Sequence, residues 1–164
     1  MKEKLLVSAC LLGENCKYSG GNNYHPGTEK LRELFEVIPV CPEQLGGLPT
    51  PRAPSERVGN RVLARDGADV TDAFRLGAER TLEIARANGV RRAVLQERSP
   101  SCGCGMIYDG TFTGTLVPGQ GVTAELLRAN GVEVTGGSRL DKLDEGGRAE
   151  KETERHGKNS DCGG

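Results

Sequence analysis

Residues 93–105 read Ala93-Val-Leu-Gln-Glu-Arg-Ser-Pro-Ser-Cys-Gly-Cys-Gly105, an apolar run that gives way to hydroxyls, thiols and glycine backbone. A short apolar run bounded by turn residues reads as a buried β-strand. A cysteine set among glycines at the end of such a strand is presented to a ligand instead of being packed. Two other strand-like runs end in the same way: Leu5-Leu-Val-Ser-Ala-Cys10 precedes Leu11-Leu-Gly13, and Val37-Ile-Pro-Val-Cys41 precedes Pro42-Glu43. In a parallel α/β sheet all carboxyl ends of the strands lie along one edge, where ligands bind. Three thiols far apart in sequence then converge. The sequence therefore predicts a single α/β domain, a mainly parallel sheet of about four to five strands flanked by helices in a Rossmann- or flavodoxin-like layering, with its site on the carboxyl edge.

The whole composition bounds that reading. At 164 residues the chain is long enough for one domain with a real core and too short for two. Lys and Arg number 22 against 23 Asp and Glu, so no global basic field draws the chain to nucleic acid or to an anionic membrane. No apolar run approaches the length of a spanning helix, and the start Met1-Lys-Glu-Lys4 leads into too short an apolar segment for a signal peptide. A cytoplasmic protein is expected. In a reducing cytosol, six cysteines point to metal or catalysis more than to disulfides.

Further elements follow from local pattern. Gly13 to Gly27 reads as a loop, with Cys16, Lys17, Tyr18 and the pairs Gly20-Gly21 and Asn22-Asn23 suited to tight turns whose amides face a ligand. Thr28 is expected to cap a helix from Glu29 to about Phe35. Residues 42–59 hold Pro42, Pro49, Pro51 and Pro54 and are expected to form no regular element. Within that loop Glu43 and Arg52 are the charges to watch, with a bridge from the loop to a carboxylate as the alternative role of Arg52. The clearest helix is capped by Asp69 or Thr71, carries Phe74, Ala78, Leu82 and Ala85 as its apolar stripe, and stops at Asn88-Gly89. Met106 to Phe112 is expected to form a small hairpin around Asp109-Gly110, in which Tyr108 and Phe112 pack as hairpin or core side chains. Thr123 is expected to cap a second amphipathic helix, before a strand over Val132 to Thr135. Residues 1–144 thus form the domain, and 145–164, with Cys162, read as a polar, disordered tail.

Three thiolates meeting from three strand ends suit a zinc site, a thiol redox centre or an iron–sulfur cluster. No Cys-x-x-Cys pair occurs, which weakens the first two. A cubane cluster held by only three thiolates leaves one iron open, and an open iron is a soft Lewis acid that favours sulfur.

The runs Ser8-Ala-Cys-Leu-Leu-Gly13, Cys16-Lys-Tyr-Ser-Gly-Gly21, Cys41-Pro-Glu-Gln-Leu-Gly-Gly-Leu-Pro-Thr-Pro-Arg52, Asp69-Val-Thr71, Ser99-Pro-Ser-Cys-Gly103 and Tyr108-Asp-Gly-Thr-Phe112 resemble the thiouracil desulfidase family, long catalogued as a domain of unknown function. The likeness covers residues 4–136. It implies a [4Fe-4S] cluster on Cys10, Cys41 and Cys102, and hydrolytic, non-redox removal of sulfur from a small thiolated pyrimidine such as 2-thiouracil, giving the oxo-base and sulfide. By the same likeness Glu43 is the acid/base, and Ser99 or Ser101 bonds to substrate or to the attacking water. The chain departs from the family pattern at Gln96, where a Lys is common, at Ser19, where an Asp is usual, and at Cys104, an extra thiol and a potential alternative ligand. Cys16 reads as a packed thiol. A zinc–thiolate hydrolase or transferase, or a non-catalytic module that binds iron–sulfur clusters or sulfide, are the competing readings.

Overall fold

The computed structural model describes residues 2–143; the tail expected over 145–164, with Cys162, lies outside them. In chain order the elements are β1 (Glu3–Ser8), α1 (Thr28–Leu34), β2 (Phe35–Val40), α2 (Pro42–Leu45), β3 (Ser55–Val58), β4 (Arg61–Ala64), α3 (Thr71–Ala87), β5 (Arg92–Leu95), β6 (Cys104–Tyr108), β7 (Leu116–Gln120), α4 (Val122–Ala129) and β8 (Glu133–Gly136). Short 3-10 turns at Ala9–Leu12 and Gly137–Lys142 follow β1 and β8.

Four strands form one sheet in the order β2-β1-β5-β8, every pair parallel. The chain begins in the middle of the sheet, so the loops after β1 and β5 leave in opposite directions and open a crevice at their carboxyl ends. Helices cover both faces. Leu5, Val7, Val94 and Phe35 meet Leu31 of α1 and Leu140, while Leu6, Ala93, Leu95 and Val134 meet Leu82 and Ala85 of α3 and Leu127 of α4. Burial on two faces is why these strands read as continuous apolar runs without alternation. At the amino edge buried Arg92 pairs with Glu3 at 2.9 Å and lies over the Phe35 ring. The thiol-bearing loops all leave from the opposite, carboxyl end.

Three local expectations are corrected. The proline-rich stretch 42–59 does contain regular structure: Pro42 opens α2, where a missing N–H costs nothing and the ring's φ suits a first helical turn, and β3 begins directly after Pro54 to pair antiparallel with β4. The second hairpin is wider than expected, β6 against β7 with Asp109 to Thr115 as its loop, closed by Asp109 N–H on the Thr115 carbonyl at 3.0 Å. Neither Thr28 nor Thr123 is a cap. Thr28 is the first residue of α1 and donates its hydroxyl to the His25 carbonyl at 2.7 Å, whereas the Thr123 hydroxyl lies inside the fold, 2.8 Å from that of Ser101. At the start of α3 neither expected residue holds the cap position, which is Val70; Asp69, just before it, accepts the Thr71 N–H on Oδ1 at 3.0 Å.

One close approach positions the site. A Cβ built on Gly46, just past α2, would lie 2.0 Å from the Ala73 carbonyl oxygen, and one on Gly77 of α3 would lie 2.0 Å from the Pro42 oxygen. The two helices therefore pack backbone to backbone, and this seats Cys41 and Glu43 at the sheet edge. Gly77→Ala is expected to cost about 1–3 kcal/mol through overpacking. At about 2–4 °C per kcal/mol for a chain of this size, thermal unfolding should show a melting temperature several degrees lower; an unchanged value would contradict the close packing.

Candidate functional site

A cavity of about 340 Å³ opens on the carboxyl edge between the loops that follow β1, β2 and β5, and Cys10, Cys16, Cys41 and Cys102 all line it. Cys10 sits in the 3-10 turn after β1, Cys41 at the junction of β2 and α2, and Cys102 in the loop between β5 and β6. The convergence expected of the three strand ends is thus present. The loop from Gly13 to Gly27 folds back over the first thiol: Asn23 N–H reaches the Cys10 carbonyl at 2.9 Å, and its side-chain amide reaches Cys10 Sγ at 3.5 Å. Lys17 in turn holds the Asn23 side-chain oxygen at 3.2 Å.

The four thiols differ in what surrounds them. Cys16 is buried beside Cys10 and Cys41, and the closeness of the three sulfurs pushes its own thiol far up while drawing the other two down. Cys41 is lowered to about 6, first by Cys16, then by the backbone N–H of Gln44 in the first turn of α2 and by the nearby Arg52. Its sulfur also lies 3.7 Å from the Cys16 carbonyl, a contact that only the neutral thiol makes as a donor. Cys102 is pushed up by burial, against a hydrogen bond from Ser8 that favours its thiolate; Cys10, Glu43 and Cys41 add to the rise as like charges. In the protein alone, these groups resist ionising together.

Glu43, in the first turn of α2, lines the same cavity. Its Oε1 accepts from Arg52 Nε at 2.7 Å, and its Oε2 has no partner among the described residues. Arg52 therefore does bridge the proline loop to a carboxylate, and that carboxylate is the one at the site.

The two serines separate. Ser99 lines the cavity, its Oγ accepting from the backbone N–H groups of Ser101 and Cys102 at 3.0 Å each, which pins the loop that carries Cys102. Ser101 is buried behind the wall, its hydroxyl on Thr123 and its carbonyl accepting the first N–H groups of α4. Cys104 packs in the core with Leu95 and Leu127 and does not line the cavity, so the extra thiol is not a second ligand in waiting. Tyr108 departs from expectation, since it forms part of the cavity wall; Phe112 does not, and lies under the guanidinium of Arg65 at 5.5 Å. Gln96 lines the cavity and Ser19 does not. Asn23 and the convergence of Cys16 went unassigned by sequence, although the glycine- and asparagine-rich loop around them signals backbone folded toward a ligand.

The donor set fits a cluster better than an ion. Among the described residues no three His, Cys, Asp or Glu side chains are grouped as the ligands of one metal ion would be. In a cubane each thiolate binds a different iron, so its ligands ring a space instead of meeting at a point. Cys10, Cys41 and Cys102 ring such a space, which has room beside them for a small planar molecule. A cationic iron centre would relieve the mutual repulsion of three thiolates and a carboxylate placed this close.

Comparison with known proteins agrees with this geometry. The family described as 2-thiouracil desulfurase matches residues 5–138. The uncharacterized protein YbbK of Bacillus subtilis (strain 168) is 39% identical over 152 residues, spanning 85% of this chain and 99% of the relative. The solved structure of the [4Fe-4S]-dependent thiouracil desulfidase TudS (DUF523Vcz) superposes with a TM-score of 0.82 at 44% identity, over 87% of this chain and 95% of that one. The chain belongs to the 2-thiouracil desulfurase family.

Proposed function

We propose that this chain is an iron–sulfur-dependent desulfidase that converts a thiolated pyrimidine, 2-thiouracil or a close relative, into the oxo-base and sulfide. The observation that carries the reading is the meeting of three strand-end thiols and one carboxylate, Glu43, on a single cavity. Cys10, Cys41 and Cys102 would hold the [4Fe-4S] cluster, with Cys16 packed beside the first two. What the group would supply is a soft Lewis acid at the one iron left without a thiolate.

The remaining work falls to side chains of the chain itself. Glu43 Oε2, without a partner among the described residues, takes a proton from the water that attacks the thiocarbonyl carbon and returns it to the departing sulfur or the ring. Overall one C=S bond and one water become one C=O bond and hydrogen sulfide, with no change of oxidation state. Ser99, on the wall beside Cys102, offers a hydroxyl to the substrate or the water. Ser101, bonded to Thr123, acts by holding the Ser99–Cys102 loop against α4. Pro100 and Tyr108 line the wall and limit water around the reacting carbon.

No described helix is long and apolar enough to cross a membrane, and Cys10, Cys16, Cys41 and Cys102 carry free thiols. Free thiols in this number support a reducing, cytoplasmic setting, and the near-balanced charge supports a small-molecule substrate over a nucleic acid. The test is turnover by the anaerobically reconstituted chain. Uracil and sulfide are expected in equal amounts from 2-thiouracil, and none after the iron is removed by a chelator. Iron-loaded protein that leaves every thiolated pyrimidine intact would overturn the assignment.

A further inference from the structure

We propose that Arg52 is a positioning residue for Glu43, fixing the direction of the free carboxylate oxygen at the cavity; this rests on the reading of Glu43 as acid/base. Arg52 stands in a stretch without periodicity, yet its side chain is only 7% exposed. Its donors are used on three separate segments. Nε donates to Glu43 Oε1 at 2.7 Å, Nη2 to the Cys16 carbonyl at 2.9 Å, and Nη1 to the Pro49 carbonyl at 3.1 Å and the Thr50 hydroxyl at 2.9 Å. Its own backbone N–H reaches the Tyr18 carbonyl at 2.8 Å. The residue thus ties the loop of Cys16 and Tyr18 to α2 and to the proline loop.

Glu43 needs such a tie. It is carried by a four-residue helix, followed by Gly46 and Gly47, and a glutamate has three side-chain torsions to fix. A single bond to Oε1 selects one orientation and leaves Oε2 for the water. The guanidinium suits this task because its donors lie in one plane in a fixed fork, so the bond to Glu43 and the bond to the Cys16 carbonyl set each other's direction. A lysine ammonium reaches either partner but does not couple them. Glu43 is consequently oriented against the same segment that packs Cys16 beside Cys10 and Cys41.

Removing an orienting partner behind a reactive group costs about 10- to 100-fold in rate. Arg52→Gln is expected to lower kcat by about that factor, with KM and iron content near those of the unaltered protein, and Arg52→Lys to recover part of the loss. The double variant Glu43→Gln, Arg52→Gln should be no slower than Glu43→Gln alone, since Arg52 acts through Glu43. A readout independent of turnover uses metal-free protein treated with a carbodiimide and glycinamide, followed by peptide mass spectrometry. Glu43 should be labelled slowly in the unaltered chain and several-fold faster in Arg52→Gln; equal rates would overturn the proposal. It is also overturned if KM rises while kcat holds, which makes Arg52 a substrate ligand, or if the two substitutions multiply. Should Arg52→Gln not fold, Arg52→Lys carries the test, and wild-type kcat in that variant contradicts it. If Glu43→Gln alone turns over normally, the fault lies with the acid/base reading, a result distinct from every other outcome.

Discussion

Cys102→Ser should yield protein that retains no stable iron after reconstitution and converts no substrate, and Cys10→Ser and Cys41→Ser should do the same. A serine hydroxyl is a hard, weakly acidic donor, and iron in a sulfur environment prefers thiolate by far. The three come from different loops, and no second thiol lines the cavity beside Cys102, since Cys104, two residues away, faces the core; Cys16 lies beside Cys10 and Cys41 but is expected to stay a thiol. Cys104→Ala is therefore expected to keep its iron, which separates a thiol that binds from one that packs. Iron analysis and the visible absorption of the reconstituted variants decide the matter. Full iron content in any one of the three serine variants would remove that residue from the ligand set.

Glu43→Gln is the converse experiment. The amide keeps the size of the side chain and one oxygen for Arg52, but it no longer takes up a proton near neutral pH. Iron should be retained while turnover falls by about 10²- to 10⁴-fold, the range for loss of a general acid/base. The comparison with Ser99→Ala is informative, since that hydroxyl also accepts the N–H groups of Ser101 and Cys102 and its loss loosens the Cys102 loop.

Much of this site is legible in the sequence because its anchor residues follow strands. Buried parallel strands show as apolar runs, and α3 shows as a stripe of Phe74, Ala78, Leu82 and Ala85, because burial leaves a periodic trace. The three thiols that end those runs are readable for the same reason. What the sequence hides has no period. The four residues of α2 are masked by Pro42, which favours a helix start as readily as it breaks a helix interior, and the tie to Glu43 in that helix comes from Arg52 in an irregular loop. Thr123 reads as a helix cap from its position alone, and only packing against the Ser99–Cys102 loop turns its hydroxyl toward Ser101. Tyr108 reads as hairpin packing because nothing local distinguishes the face of β6 that meets the cavity. Cys16 reads as a packed thiol; it is buried, yet it lines the cavity beside Cys10 and Cys41, a fact about the fold of the loop and not about its composition.

The most direct test of three strand-end thiols around one open cluster is iron anomalous scattering from crystals of the anaerobically reconstituted chain. Iron should lie in the cavity bonded to the sulfurs of Cys10, Cys41 and Cys102, with one iron bare of protein ligands on the side of Glu43. Iron bonded to Cys16 or Cys104, or a single ion in place of a cluster, would contradict it.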